Sequence, residues 1–382
     1  MQDELEILII GGGLAGLTAA LHLQKAGLKV TLIEKNEFPS HKVCGEYISN
    51  EVWPYLKSLD LDMERLKPNL INQMQFTTVT GKSITAILPL GGFGISRYEL
   101  DYFLYQHLIK RGVKIIKDTV TNIEFNNDKF TVTLLLGKEL IVKHVIGAYG
   151  KRSSIDVKLN RAFIQKKSPF LAVKAHYSGD FSKNLVAVHN FRGGYCGVSK
   201  VENDKINICY LADYNSFKKY KDIKTYQAQV LHQNRHLAEI FEKCTLIFEE
   251  PLVISQLFFG EKPTIENHIL MVGDTAGLIH PLCGNGMAMA IHSAKIAAEL
   301  LIKFKNREII SRAELEKTYT KLWNAEFKTR IKMGHILSAL FRKERLSNLL
   351  LTGLTKFPSL LNQIIKKTHG KPIINEVDKH NA

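Results

Sequence analysis

Gly11, Gly13 and Gly16 stand directly after the apolar run Leu5 to Ile10, and Glu34 closes a second β-branched run 23 residues beyond Gly11. Each residue type has a physical task at this spacing. Gly11 permits a tight turn, Gly13 lets the backbone approach a pyrophosphate, and Gly16 lets a helix pack closely on the preceding strand, while the helix N-terminus offers N–H donors to an anion. Glu34 can accept both hydroxyls of an adenosine ribose, and its charge would repel a 2′-phosphate. Ala15 within the turn and Lys35 beside Glu34 join these as candidates for a dinucleotide site. The fingerprint alone does not separate FAD from NAD.

Five further segments carry candidate chemistry. Ile269 to Gly277 (ILMVGDTAG) runs strand-like into a Gly-Asp turn at Gly273 and Asp274, and Pro281-Leu282-Cys283-Gly284-Asn285-Gly286-Met287 opens an Ala-rich helical stretch. Arg97, Leu100 and Asp101 form an R-x-x-L-D pattern, Lys42 to Glu46 reads KVCGE, and Gly147 to Ser153 reads GAYGKRS. Together with the first fingerprint this order resembles the FAD-dependent oxidoreductases of the p-hydroxybenzoate hydroxylase superfamily, which includes aromatic monooxygenases, flavin-dependent halogenases and geranylgeranyl reductases. The similarity covers about the first 300 residues, and the KVCGE, GAYGKRS and PLCGNGMAMA segments look most like oxidoreductases that accompany bacterial type III polyketide synthases.

The resemblance implies noncovalent FAD, with Asp274 bonding the ribityl chain, Arg97 aimed at the cofactor, and Lys42 and Cys44 beside the flavin. Gly284, Asn285, Gly286 and Met287 would begin a helix pointing at the flavin pyrimidine ring, where its dipole favours negative charge on reduction. Cys44, Cys283 and Tyr195 are the catalytic candidates. Departures matter as well. Tyr149 stands where the superfamily usually has Asp, so a pyridine nucleotide, if NAD(P)H is the donor, would bind transiently near the flavin, and no second Gly-x-Gly-x-x-Gly offers it a domain. The two tryptophans, Trp53 and Trp323, stand alone and supply no halogenase W-x-W-x-I-P motif. The implied function is an FAD-dependent monooxygenase acting on a hydrophobic aromatic or polyketide-like molecule; saturation of a C=C bond in an isoprenoid or other lipid is the alternative suggested by the Cys44 segment.

The elements that must hold these residues can be traced along the chain. Strand, helix and strand over residues 5–34 form an α/β opening with a parallel sheet. Ser96 is an N-cap with Glu99 three residues on, so a helix is expected to Gly112. Strands are expected at 113–116, 120–125, 130–135 and 139–146, and a hairpin turns at Gly81. From Phe170 to Phe258 strands recur about every ten residues, with one long helix near Ile223 to Cys244. The expected architecture is a Rossmann-type FAD-binding domain (1–70, 96–155 and 260–310), an inserted mainly antiparallel substrate domain (71–95 and 156–259) and a C-terminal helical region (311–382). Tyr195, Phe191, Tyr177 and Phe258 are expected to line an apolar substrate pocket.

Composition narrows the alternatives. The 382 residues are 45% hydrophobic and 23% charged, an ordinary globular balance. No run reaches the roughly 18 consecutive apolar residues of a membrane span, and the acidic start (Asp3, Glu4, Glu6) is unlike a secretory signal, so a cytoplasmic protein is expected. The five cysteines include no C-x-x-C pair, which argues against a disulfide framework or a metal site. The net charge of +15 is lopsided: residues 303–382 hold 17 Lys and Arg against 7 Asp and Glu, two-thirds of the excess. No nucleic-acid motif accompanies this tail. Its stretch from Ile336 to Ile365 interleaves apolar clusters with Arg342, Lys343, Arg345 and Lys356, as either a helical cap or an interfacial helix touching a membrane would.

Overall fold

The computed structural model describes residues 4–166, 168–220 and 222–341 and, beyond these, 346, 347, 349, 353, 364, 365 and 369–374. Leu5–Ile10 is the middle strand of a parallel sheet. It pairs with Val30–Glu34 on one side and Glu139–Gly147 on the other, and Lys114–Lys117 and Ile269–Met271 extend the two flanks. The hairpin Val120–Asn126 and Lys129–Leu134 adds antiparallel strands through Glu139–Gly147. The last four residues of this strand, Ile7 to Ile10, are buried, which is why they are apolar rather than alternating, while Glu6 at its start is half-buried and pairs with Lys305. The helix Leu14–Lys25 packs on the central strands, and the helices Arg97–Lys110 and Gly286–Lys305 pack against it.

The second sheet has nine strands, and its pairings are antiparallel except where Leu185–Phe191 runs parallel to Asn69–Thr77. Its strands Phe170–Gly179, Ile206–Asp213, Gly194–Lys200 and Leu185–Phe191 are consecutive neighbours, and the hairpin Asn69–Thr77 and Ser83–Gly94 joins them. The short strand Tyr47–Ser49, just after KVCGE, closes the far edge. The chain thus combines a Rossmann-type parallel sheet with a mainly antiparallel second sheet, followed by the long helix Arg312–Phe341.

One expected element is broken. The region 223–244 holds two helices, Ile223–Gln229 and Arg235–Lys243, separated by a 3₁₀ turn and Asn234. Asn234 is buried, and its amide reaches Thr77 Oγ1, the Thr78 carbonyl and the Asn190 carbonyl at 2.9–3.1 Å while Oδ1 caps the second helix through the His236 N–H. These bonds pin an extended residue where a continuous helix would have needed a helical one. Most of the amphipathic stretch 336–365 lies outside the described residues. No helix among them is long and apolar enough to cross a membrane.

Candidate functional site

At the C-terminal end of Leu5–Ile10 the backbone turns through Gly11 at φ +111°, a region that excludes side chains. A Cβ on Gly16 would stand 2.0 Å from the Gly11 carbonyl oxygen, so this glycine seats the helix on the turn and does not face a ligand. Gly13 differs. Its nearest neighbour would be an Arg97 guanidinium nitrogen at 3.7 Å, and it lines open space on two sides. Glu34 ends the second strand with Oε2 accepting the Gly12 N–H at 2.7 Å and Oε1 held by Asn36, which fixes the acid at the rim of the glycine turn.

Two cavities meet here. A groove of ≈ 490 Å³ runs past Gly11, Gly13, Glu34, Lys35 and Lys42. A second cavity of ≈ 250 Å³ lies between the two sheets and takes in Ala15, Cys44, Tyr195, Gly273, Gly284, Gly286 and Met287. Gly13, Arg97, Lys151 and Asp274 belong to both, so the spaces join at the residues singled out in the sequence. Arg97 is aimed by a two-pronged bond to the buried Asp101, Nε to Oδ1 at 2.7 Å and Nη2 to Oδ2 at 2.6 Å. The Asp274 turn is braced from below by Lys262, whose ammonium donates to the Asp274 and Lys151 carbonyls at 2.8 Å; burial lowers its pKa to about 8.

The inner cavity is mostly apolar. Ala172, Val188, Leu211, Leu257, Phe259 and Ile279 form much of its wall. Tyr195 reaches it from the antiparallel sheet, and burial raises the phenol's pKa well above its ordinary value, as do neighbouring Cys209 and Cys283 more weakly. It therefore remains a neutral hydrogen-bond donor. Cys209 also lines the cavity, and burial, with Cys44 nearby, pushes its thiol up to about 12.

Several expected contacts are absent from this wall. Tyr177 and Phe191 pack in a separate apolar cluster on the opposite face of the antiparallel sheet, with Tyr210 and Tyr226. Strand alternation decides this: Tyr195 points inward, and the pairing of Phe191 with Gly194 sends the phenylalanine outward. Phe259, not its neighbour Phe258, enters the cavity, in the irregular stretch between Leu252–Ser255 and Gly260–Glu261. Cys283 is buried beneath Gly334 of the long helix, its Sγ 3.2 Å from where a Gly334 Cβ would stand, and burial raises the thiol to about 12. It does not line the cavity although Leu282 and Gly284 do. Asn285 is buried with its side chain directed to Glu51 rather than into the cavity.

A charged cluster that the motifs did not announce stands in the same wall. Glu46, the last residue of KVCGE, lies buried with Lys174 at 3.0 Å and His176 at 2.6 Å. Lys174 and His176 alternate with Ala172 on the inward face of Phe170–Gly179, and two ionisable residues at period two in an otherwise apolar strand were the available signal.

The groove with its glycine turn, the rim carboxylate and the adjoining inner cavity fit an extended dinucleotide whose ring system enters the space between the sheets. A Cβ on Gly13 would intrude on that path. The FAD binding domain family model matches residues 4–321, and the chain belongs to this family. It is an FAD-dependent oxidoreductase. It is 26% identical over 353 residues to the digeranylgeranylglycerophospholipid reductase of Methanosarcina acetivorans, covering 85% of this chain and 81% of that protein. Among solved structures it shares its fold with a flavin-dependent brominase, at TM-score 0.79 and 16% identity over 96% of this chain and 93% of the other. A probable FAD-dependent monooxygenase from Pseudomonas aeruginosa matches at TM-score 0.71 and 13% identity, covering 90% and 98%.

Proposed function

We propose that this oxidoreductase saturates C=C bonds in an apolar, chain-bearing substrate held in the inner cavity. The observation that carries the reading is the position of Cys44: the KVCGE loop walls the cavity where it joins the cofactor groove, so the substrate double bond, Cys44 and the flavin would share one space. The FAD, once reduced, would supply a hydride to one carbon of the double bond; Cys44 or Tyr195 would give a proton to the other carbon and be reprotonated from solvent, while the wall binds the substrate by apolar burial and excludes water. The likeness to a digeranylgeranylglycerophospholipid reductase across 85% of the chain supports an isoprenoid-like substrate.

Hydroxylation of a phenolic or polyketide-like ligand is the second reading, favoured by the mostly apolar wall, which would help keep water from an oxygen-transferring centre. A single experiment separates them. Dithionite-reduced protein is incubated without oxygen with a geranylgeranyl-bearing glycerophospholipid and with an alkylresorcinol, and products are weighed by mass spectrometry. Gain of two hydrogens per double bond supports reduction. No anaerobic turnover, with labelled oxygen incorporated from O₂ when air is admitted, would replace it with hydroxylation. NADH or NADPH would donate electrons from a transient site near the flavin, tested by the rate of flavin bleaching with each.

The basic tail supports a partner reading too. With ten of the fifteen net positive charges beyond residue 302 and exposed Leu346 and Leu349 among them, the C-terminal region would hold the protein against anionic lipid while the substrate enters. Flotation with vesicles containing phosphatidylserine should carry the full chain upward at low salt and release it at high salt; no flotation at low salt would sink this partner.

A further inference from the structure

Residues 42–46 are fastened along the whole loop. The Val43 carbonyl accepts from Lys151 Nζ at 3.0 Å, the Cys44 carbonyl accepts from Asn207 Nδ2 at 3.2 Å, and the Glu46 carbonyl accepts from the Ile95 N–H at 3.1 Å. Glu46 itself has φ +54°, a left-handed backbone that side-chain-bearing residues adopt at a cost. Its carboxylate then makes three bonds: Oε1 accepts from the Arg97 N–H at 2.9 Å and Lys174 Nζ at 3.0 Å, and Oε2 meets His176 Nε2 at 2.6 Å. Glu46, Lys174 and His176 are all at most 1% exposed; Glu46 borders the inner cavity, and Lys174 and His176 stand behind it.

Three elements meet at this carboxylate. The loop carries Cys44 into the inner cavity, Arg97 begins the helix whose guanidinium lines both cavities, and Phe170–Gly179 belongs to the sheet that forms the far wall. Replacing buried charges by apolar residues of similar volume is often neutral or stabilising, so bare stability is a poor account of such a trio, whereas fixed geometry is a good one. Polar attachment also resists sliding, because a carboxylate with three directed donors has one satisfied position and an apolar contact has many.

We propose that Glu46, held by Lys174 and His176, is the positioning residue that sets Cys44 and Arg97 together at the junction of the two cavities. It acts through backbone placement: one oxygen fixes the first N–H of the Arg97 helix, and the same side chain anchors the loop two residues after Cys44. The role is the same for reduction and for hydroxylation, since both need the flavin and the wall in register.

The test uses the full FAD-loaded protein. Glu46→Gln paired with Lys174→Met removes both charges of the buried Glu46–Lys174 pair together, so neither is left facing the other's vacancy. Three quantities are read: the melting temperature, the FAD dissociation constant by flavin fluorescence, and the rate of Cys44 alkylation by iodoacetamide mapped by mass spectrometry. A misplacement of about 1 Å can change a site's performance by about a hundredfold, so the double variant should bind FAD at least tenfold more weakly and alkylate Cys44 at a rate changed at least fivefold, with a melting temperature near the parent's when both are stripped of cofactor. Parent-like affinity and alkylation in the folded double variant overturn the proposal. Should the double variant not accumulate as folded protein, His176→Leu, which keeps the Glu46 to Lys174 pair, decides it: a changed alkylation rate at the parent melting temperature supports positioning, and an unchanged rate overturns it.

Discussion

The three glycines of the first fingerprint should fail in different ways when each is changed to alanine. At Gly16 a Cβ would lie 2.0 Å from the Gly11 carbonyl oxygen and 3.2 Å from the Ala148 Cβ. Carbon and oxygen approach to about 3.3 Å at closest, so helix and turn must part by roughly 1.3 Å in a close-packed core, an overpacking cost of about 1–3 kcal/mol or more. At Gly11 the φ of +111° and an Ala148 oxygen at 2.3 Å add backbone strain to the clash. Gly13 has φ −82° and no neighbour closer than 3.7 Å, so alanine is accommodated there and the methyl group projects into the groove. Gly13→Ala should therefore melt within about a degree of the parent when both are stripped of cofactor, yet bind FAD roughly ten- to a hundredfold more weakly, a loss of about 1.4–2.8 kcal/mol. Gly16→Ala should lose several degrees even without cofactor. Differential scanning calorimetry of apoprotein and fluorescence titration with FAD give the two numbers. Parent-like FAD affinity in Gly13→Ala, or an apoprotein melting as low as that of Gly16→Ala, would refute the division of roles.

Arg161 is fully buried, with Nη1 at 2.8 Å from Asp156 Oδ1 and 3.0 Å from the Thr275 carbonyl, and Nη2 at 2.7 Å from the Pro263 carbonyl. Arg161→Met strands the Asp156 carboxylate and two carbonyls, and should cost about 3–5 kcal/mol in urea unfolding; a loss under about 1 kcal/mol contradicts the burial argument. Burial lowers the pKa of His22 to about 4 and of His189 and His292 to about 3. Below the unfolded value of about 6.5 the unfolded chain takes up protons that these native histidines refuse, so stability should fall as pH drops from about 6.5 toward 4. Replacing His189 by Gln should reduce that slope by about one proton, read from melting temperature against pH; an unchanged slope would show that His189 titrates normally in the folded protein.

Local signals carried much of the architecture. The strand, glycine turn, helix and acid of residues 5–34 are contiguous, so one periodicity and one turn sufficed to place them, and the same holds for Ser96 as the cap of the Arg97 helix, whose hydroxyl accepts the Glu99 N–H. The break at Asn234 was not legible, because the partners that hold it, Thr77, Thr78 and Asn190, are distant in sequence and the helical pattern on either side is continuous. Side-chain direction failed for the same kind of reason. Phe258 and Phe259 are adjacent in an irregular stretch between two strands, where no side-chain periodicity announces which one faces the cavity.

The Glu46 cluster shows where a motif stops being informative. KVCGE drew attention to Cys44, a residue with evident chemistry, while the glutamate two places on was assigned no role. Its partners lie 128 and 130 residues away, on a strand whose apolar content marks it as core. A lysine inside such a strand is expensive unless paired, and Lys174 shares its inward face with Ala172 and His176, so the strand needed an anion from another element facing that side. The choice among 37 acidic residues was topological: the edge strand Tyr47–Ser49 ties the end of KVCGE to the antiparallel sheet and so brings the Glu46 carboxylate to Lys174 and to the start of the Arg97 helix. A buried charge on a strand is therefore best read as a demand for a partner, and the partner's position identifies which loop the fold holds in place.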